Sequence, residues 1–235
     1  MVASNLEFLG GWYLTLGTIR VLEGDATGWQ EFSRGVQMRY WYVRLLDAQW
    51  EADKRRTRGP RVPLYEPPLY LAAALALRSE ETIQWLGDRL ERSVQDGRFG
   101  DWDRWHLPPF ALNLYQLYVG KEPNAPAATD PDCPDPYAAI FAAWHDEAAL
   151  VDAIRAACDY HVEEHRERGD HIGEFAWSPF HIVPAEIFAL QVVRNKLGLP
   201  TPHVEHPLLE PPLDRAPEGD WEVHDDLLER VKRIL

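Results

Sequence analysis

Apolar positions along the chain recur at helical intervals almost from end to end. Between residues 5 and 22, Leu6, Leu9, Trp12, Tyr13, Leu16, Ile19 and Leu22 fall at i, i+3, i+4 spacing, which predicts an amphipathic helix with that stripe facing inward. Gly10, Gly11 and Gly17 within it either weaken the helix or permit a close crossing. After a turn at 24–28, a second stripe over 29–54 runs through Trp29, Phe32, Val36, Tyr40, Val43, Leu46 and Trp50. It ends in Lys54, Arg55, Arg56 and Arg58, cations that suit a helix C-terminus.

A proline-rich connector at 59–68 leads into a short apolar helix, LYLAAALALR. Ser79 reads as an N-cap, with Glu80 and Glu81 in the first turn of a helix carrying Ile83, Leu86, Leu90 and Val94 and ending near Gly97. Further helices are predicted over 108–119, from Asp135 and Pro136 through YAAIFAAWH, over 146–168, over 184–197 and over 221–233. The 184–197 segment starts at Pro184, carries Glu186 in its first turn and Arg194 and Lys196 in its last, and is stopped by Gly198. Its wide apolar arc predicts a buried helix. No hairpin signal and no alternating strand interrupts the series. The pattern therefore predicts an all-α protein, either a multi-helix bundle or a two-lobed array of helical hairpins.

The stretch KEPNAPAATDPDCPD has no apolar period and is the best linker in the chain. It divides the sequence into an N-terminal helical segment, 1–120, a Pro/Asp-rich linker, 121–135, and a C-terminal helical segment, 136–235, which together could still be one domain. An internal echo runs across that linker. Trp102, His106, Pro109 and Gln116 recur 75 residues later as Trp177, His181, Pro184 and Gln191. Shared helix grammar and a duplicated helical hairpin both account for it.

Composition narrows the functional classes. The net charge of −14 disfavours nucleic acid and anionic membranes as partners, since both are polyanions. No run of uncharged apolar residues is long enough to span a bilayer, and the acidic Glu7 with no basic n-region argues against a secretory signal. Together with only two cysteines, Cys133 and Cys158, this leads to an expectation of free thiols and a cytoplasmic location.

Candidate chemistry is sparse. His161-Val162-Glu163-Glu164-His165 matches the inverted zincin pattern H-x-x-E-H. On a continuous helix His161 and His165 share a face and could ligate zinc, with Glu164 as general base. Against this, no third ligand at a suitable spacing stands out, and both histidines continue an apolar stripe. Cys158 lacks an activating partner other than His161 and reads as a buried apolar residue. The aromatics of Met38-Arg39-Tyr40-Trp41-Tyr42 could stack a ligand, but at helical spacing they suit packing. G-x-S-x-G, the P-loop and G-x-G-x-x-G are absent from the sequence. Carboxylates gather in two places: Asp132, Asp135, Asp146 and Glu147 around the linker, and Glu163, Glu167, Asp170 and Glu174 beside Trp177. They form either a solvated face or a negative patch for a basic partner.

The segment VPAEIFALQVVRNKLGLPTPHVEHPLL resembles the C-terminal part of helical immunity proteins of bacterial polymorphic toxin systems, contact-dependent or type VI. The match rests on Glu186, Gly198, Leu199, His206, Pro207 and Leu208 and covers the last third of the chain. The resemblance implies a cytoplasmic, non-enzymatic binder without cofactor. Its partner would be a cognate toxin effector protein, often a nuclease. A metal-dependent hydrolase using His161 and His165, and a helical interaction scaffold, are the competing expectations.

Overall fold

A computed structural model of the chain describes residues 2–52, 66–96, 105–126, 135–166, 172–219, 221 and 223–233. Among these every regular element is helical. They are α1 (Val2–Leu22), α2 (Gly28–Ala52), α3 (Glu66–Leu77), α4 (Glu80–Gln95), α5 (Leu107–Tyr118), α6 (Ala138–Ala142), α7 (Glu147–Glu163), α8 (Ala185–Lys196) and α9 (Asp226–Lys232), with a single 3-10 turn at Pro207–Leu209. The all-α expectation holds, in the form of a multi-helix bundle.

Helices α1 and α2 form an antiparallel hairpin whose two backbones touch through glycine. A Cβ placed on Gly17 would lie 2.6 Å from the carbonyl of Gly28 and closer still to the amide of Phe32. One on Gly35 would lie 2.6 Å from the amide of Leu14 and 2.8 Å from the carbonyl of Gly10. The glycines therefore permit a close crossing. They also turn part of the apolar stripe outward, though Leu6 is buried and Leu9 and Tyr13 pack against the core. The buried face of α1 is Leu6, Gly10, Leu14, Gly17, Thr18 and Val21, while Trp12, Ile19 and Leu22 are exposed. Contact at the glycine seam fixes which side of the helix turns in, so apolar side chains on the opposite side stay out.

Every residue of α3 is buried, and α8 packs against both α3 and α5. A helix apolar on all sides finds a stable place only where neighbours surround it. Helices α2, α4, α5 and α8 supply those neighbours. The buried apolar core is continuous from Leu6 to Val231. Across the linker, α8 packs on α3 and α5.

The helix ends follow local chemistry. Asp146 caps α7 by accepting from the amides of Ala148 and Ala149, each at 3.1 Å. Gly198, at φ +74°, ends α8, and the amide of Leu199 returns to the carbonyl of Arg194 at 2.9 Å. Arg194 is itself buried. Its guanidinium donates to the carbonyls of Trp144 and Pro200, so one side chain ties the α6–α7 turn to the segment after α8.

Candidate functional site

Helix α7 and the loop that follows it hold most of the residues singled out by sequence. At its start Asp146 and Glu147 are exposed, Asp146 serving as the cap. Asp135 is half-buried and accepts from the amide of Tyr137 at 2.9 Å, so it too closes a turn. Asp132, Glu167 and Asp170 lie outside the described residues, as do Cys133, Trp102 and His171.

The helix ends at Glu163, five residues earlier than the pattern predicts, and this removes the geometry on which the H-x-x-E-H reading depends. His161 lies in the last turn and is fully buried. Its Nδ1 is 2.7 Å from Glu186 Oε1, and its ring stacks on Phe175 with centroids 3.9 Å apart. His165 has left the helix, and its Nδ1 is turned to the carbonyl of Val162. Burial, with smaller contributions from His165 and His161, holds the His181 imidazole below its ordinary value. Among the described residues no group of three or more His, Cys, Asp or Glu side chains is placed to hold a metal ion.

Glu174, expected on an acidic surface, is buried instead. It accepts from the amides of His106 and Leu107, each at 2.7 Å, and from the Tyr160 hydroxyl. These two amides open α5, where His106 provides no side-chain cap. A carboxylate at a helix N-terminus meets orphan donors and the positive end of the dipole together. Burial pushes Glu174 up to about 7, against the hydrogen bonds from Tyr160, His106 and Leu107, which pull it down. The loop carrying it passes tightly over α7. A Cβ on Gly173 would collide with the carbonyl of Glu164, and that carbonyl accepts from the amide of Phe175 at 3.1 Å. Two residues on, Trp177 is exposed, and the next residue, Ser178, has its hydroxyl 3.4 Å from that of Thr15 on α1.

The carboxylates that do reach solvent form a ridge along α7. Asp152 and Asp159 are 80% and 70% exposed, and Glu163 is exposed one turn further on. At 1.5 Å per residue the three span roughly 17 Å, with the small Ala156 between the two aspartates. Arg155 lies 2.6 Å from Asp152, and His206 Nε2 lies 3.2 Å from Asp159. Asp152 and Asp159 were not among the residues picked out by sequence. The signal was available, since they lie seven residues apart on the side opposite the apolar stripe of a predicted helix.

The other candidates are structural. Cys158 is buried and its thiol is pushed up by that burial. Tyr40 and Trp41 are core residues. The Tyr40 hydroxyl accepts from Arg44 at 2.7 Å and donates to Glu81 at 3.1 Å, and the Arg44 guanidinium lies over the Trp41 ring at 4.4 Å. Of the positions carrying the family resemblance, Glu186 holds His161, Gly198 ends α8, and His206 accepts from the Leu208 amide with its Nε2 3.2 Å from Asp159. No helix among the described residues is long and apolar enough to cross a membrane. Compared with known proteins, the chain matches no family, no curated protein and no solved structure.

Proposed function

We propose that this protein is an immunity protein that binds a cognate toxin and neutralises it, with α7 as the contact helix. The observation that carries the reading is the ridge of Asp152, Asp159 and Glu163, three exposed carboxylates on one helix face, with Arg155 against Asp152 and His206 against Asp159. A nuclease must line its groove with cations to hold phosphates. A rigid helix bearing carboxylates occupies such a groove in place of the substrate, or docks beside it, and long-range attraction speeds the encounter. The alanines on the exposed side of α7 (Ala148, Ala149 and Ala156) let the helix approach closely. His161, Glu186 and Glu174 belong to the packing that holds α7 and its loop in place.

Co-expression with the product of the adjacent gene tests the proposal. Toxicity is expected to be abolished and a complex to co-purify, with affinity that falls steeply as salt is raised. The triple variant Asp152→Lys, Asp159→Lys, Glu163→Lys should lose protection while keeping the helical content and melting behaviour of the parent. Full protection by that variant removes α7 from the interface, and a neighbouring product that is neither toxic nor bound removes the immunity reading. No specific observation favours the hydrolase or the scaffold.

A further inference from the structure

Helix α1 presents a second surface, unlike the ridge. On the side away from α2, Phe8 is 75% exposed, Trp12 52%, Ile19 48%, Val2 47% and Leu22 46%. Phe8, Trp12, Thr15, Ile19 and Leu22 follow one another at alternating four- and three-residue steps, the spacing of a coiled-coil seam. We infer that this face is the contact between two copies of the chain, paired antiparallel about a two-fold axis through α1.

Three observations select a second copy as the occupant. The first is area. The five side chains expose roughly 500 Å² of apolar surface on the scale of about 200 Å² for a whole aromatic residue. That is most of the ~800 Å² each partner contributes to a standard interface, and flanking atoms supply the rest. The second is charge. Two copies each carrying −14 repel one another over most of their surfaces. The charged residues of α1 are Glu7 and Arg20 alone; they cancel, and each faces a partner within its own chain, Arg39 at 3.9 Å and Glu31 at 3.7 Å. A neutral apolar face is where like-charged molecules can meet. The third is self-complementarity, which a two-fold contact requires. The stripe is symmetric about the midpoint between Tyr13 and Leu14, so antiparallel pairing sets Phe8 against Ile19 of the other copy, with Trp12 beside Thr15, which is half-buried with its hydroxyl 3.4 Å from Ser178 Oγ of its own chain.

Sedimentation velocity on the full chain provides the test. The wild type is expected at twice the 27.1 kDa chain mass at micromolar concentration. Phe8→Lys and Ile19→Glu, both at exposed positions, should each sediment as monomers with unchanged circular dichroism. Mixed in equal amounts, the two should regain the dimer, because the pairing brings Lys and Glu together once and leaves Phe8 against Ile19 once. A monomeric wild type overturns the inference, whatever else α1 then binds, including a toxin or lipid vesicles. Variants that stay dimeric, or a mixture that stays monomeric, overturn it as well.

Discussion

Replacing Gly17 by alanine should destabilise the protein even though alanine is the better helix former. A Cβ at this position would stand 2.6 Å from the Gly28 carbonyl oxygen, where ordinary contact begins at 3.4 Å. Both obstacles, the Gly28 carbonyl and the Phe32 amide, are backbone, so neither can rotate away and the two helices must part by about 1 Å. A gap of 0.5–1 Å forfeits roughly a quarter to a half of the dispersion attraction across it. The side chains that lose contact are Leu6, Leu14 and Val21 of α1, each worth about 1.5–3 kcal/mol when buried. The cost is therefore roughly 3 kcal/mol, within the range of core overpacking. Helix propensity returns about 1 kcal/mol, leaving a net loss near 2 kcal/mol. In a chain of this length that lowers Tm by roughly 4–8 °C.

Gly11→Ala is the matched control. Its Cβ would meet only the Arg39 guanidinium, at 3.0 Å, which is the far end of a long side chain rather than backbone and needs to give by only a few tenths of an ångström. The propensity gain is then little opposed, and stability should rise by about 0.5–1 kcal/mol. Urea titration followed by circular dichroism measures both variants. If Gly17→Ala equals or exceeds the parent while Gly11→Ala behaves as expected, the backbones are not in contact at Gly17 and the account of the hairpin is wrong.

Glu174 sets a pH dependence. Its folded value, about 7, lies above the ordinary 4.5, so the folded state holds the proton more tightly. Stability from this group is fully present below pH 4.5 and is lost as pH rises to 7, a fall of roughly 3 kcal/mol. Glu174→Gln should remove that component from the slope of urea midpoint against pH, and an unchanged slope would refute the assignment. Gln191 is a further test. Its Oε1 accepts from the amide of Ala216 at 2.6 Å, so Gln191→Leu should cost about 1–2 kcal/mol and speed hydrogen exchange at Ala216, while leaving exchange at Asn124 unchanged.

Much of the helix layout was legible in the sequence because its signals are local. Pro184 and Glu186 at one end of α8 and Gly198 at the other bracket a helix found within one residue of the predicted bounds, and the wide apolar arc between them correctly implied burial. Orientation was less legible wherever the inward face was not the apolar one. On α1 the largest apolar side chains point outward because glycine contact with α2 dominates, and hydropathy records nothing of backbone proximity. The end of α7 was missed for a related reason. His165 extends the face of Leu150, Ile154, Ala157, Cys158 and His161, and no glycine or proline stands before Gly169, but the tight passage of Gly173 over the Glu164 carbonyl turns the chain away.

At the candidate site, sequence could find carboxylates but could not tell which were free. Glu174 and Glu186 look like surface acids until the fold brings His106, Leu107 and Tyr160 to one and His161 to the other, across separations of 14 to 68 residues. The internal echo shows the same limit. Gln116 and Gln191 share a role as well as a spacing, since each accepts an amide from the chain that leaves its helix, Asn124 at 2.8 Å and Ala216 at 2.6 Å. The histidines of the echo have diverged, with His106 buried and His181 half-buried. The proline-to-glutamine spacing is retained although α5 begins two residues before Pro109 and α8 begins after Pro184. Common helix grammar explains a proline near a helix start. The glutamine seven residues later ties down the following segment in both places through its own carbonyl oxygen.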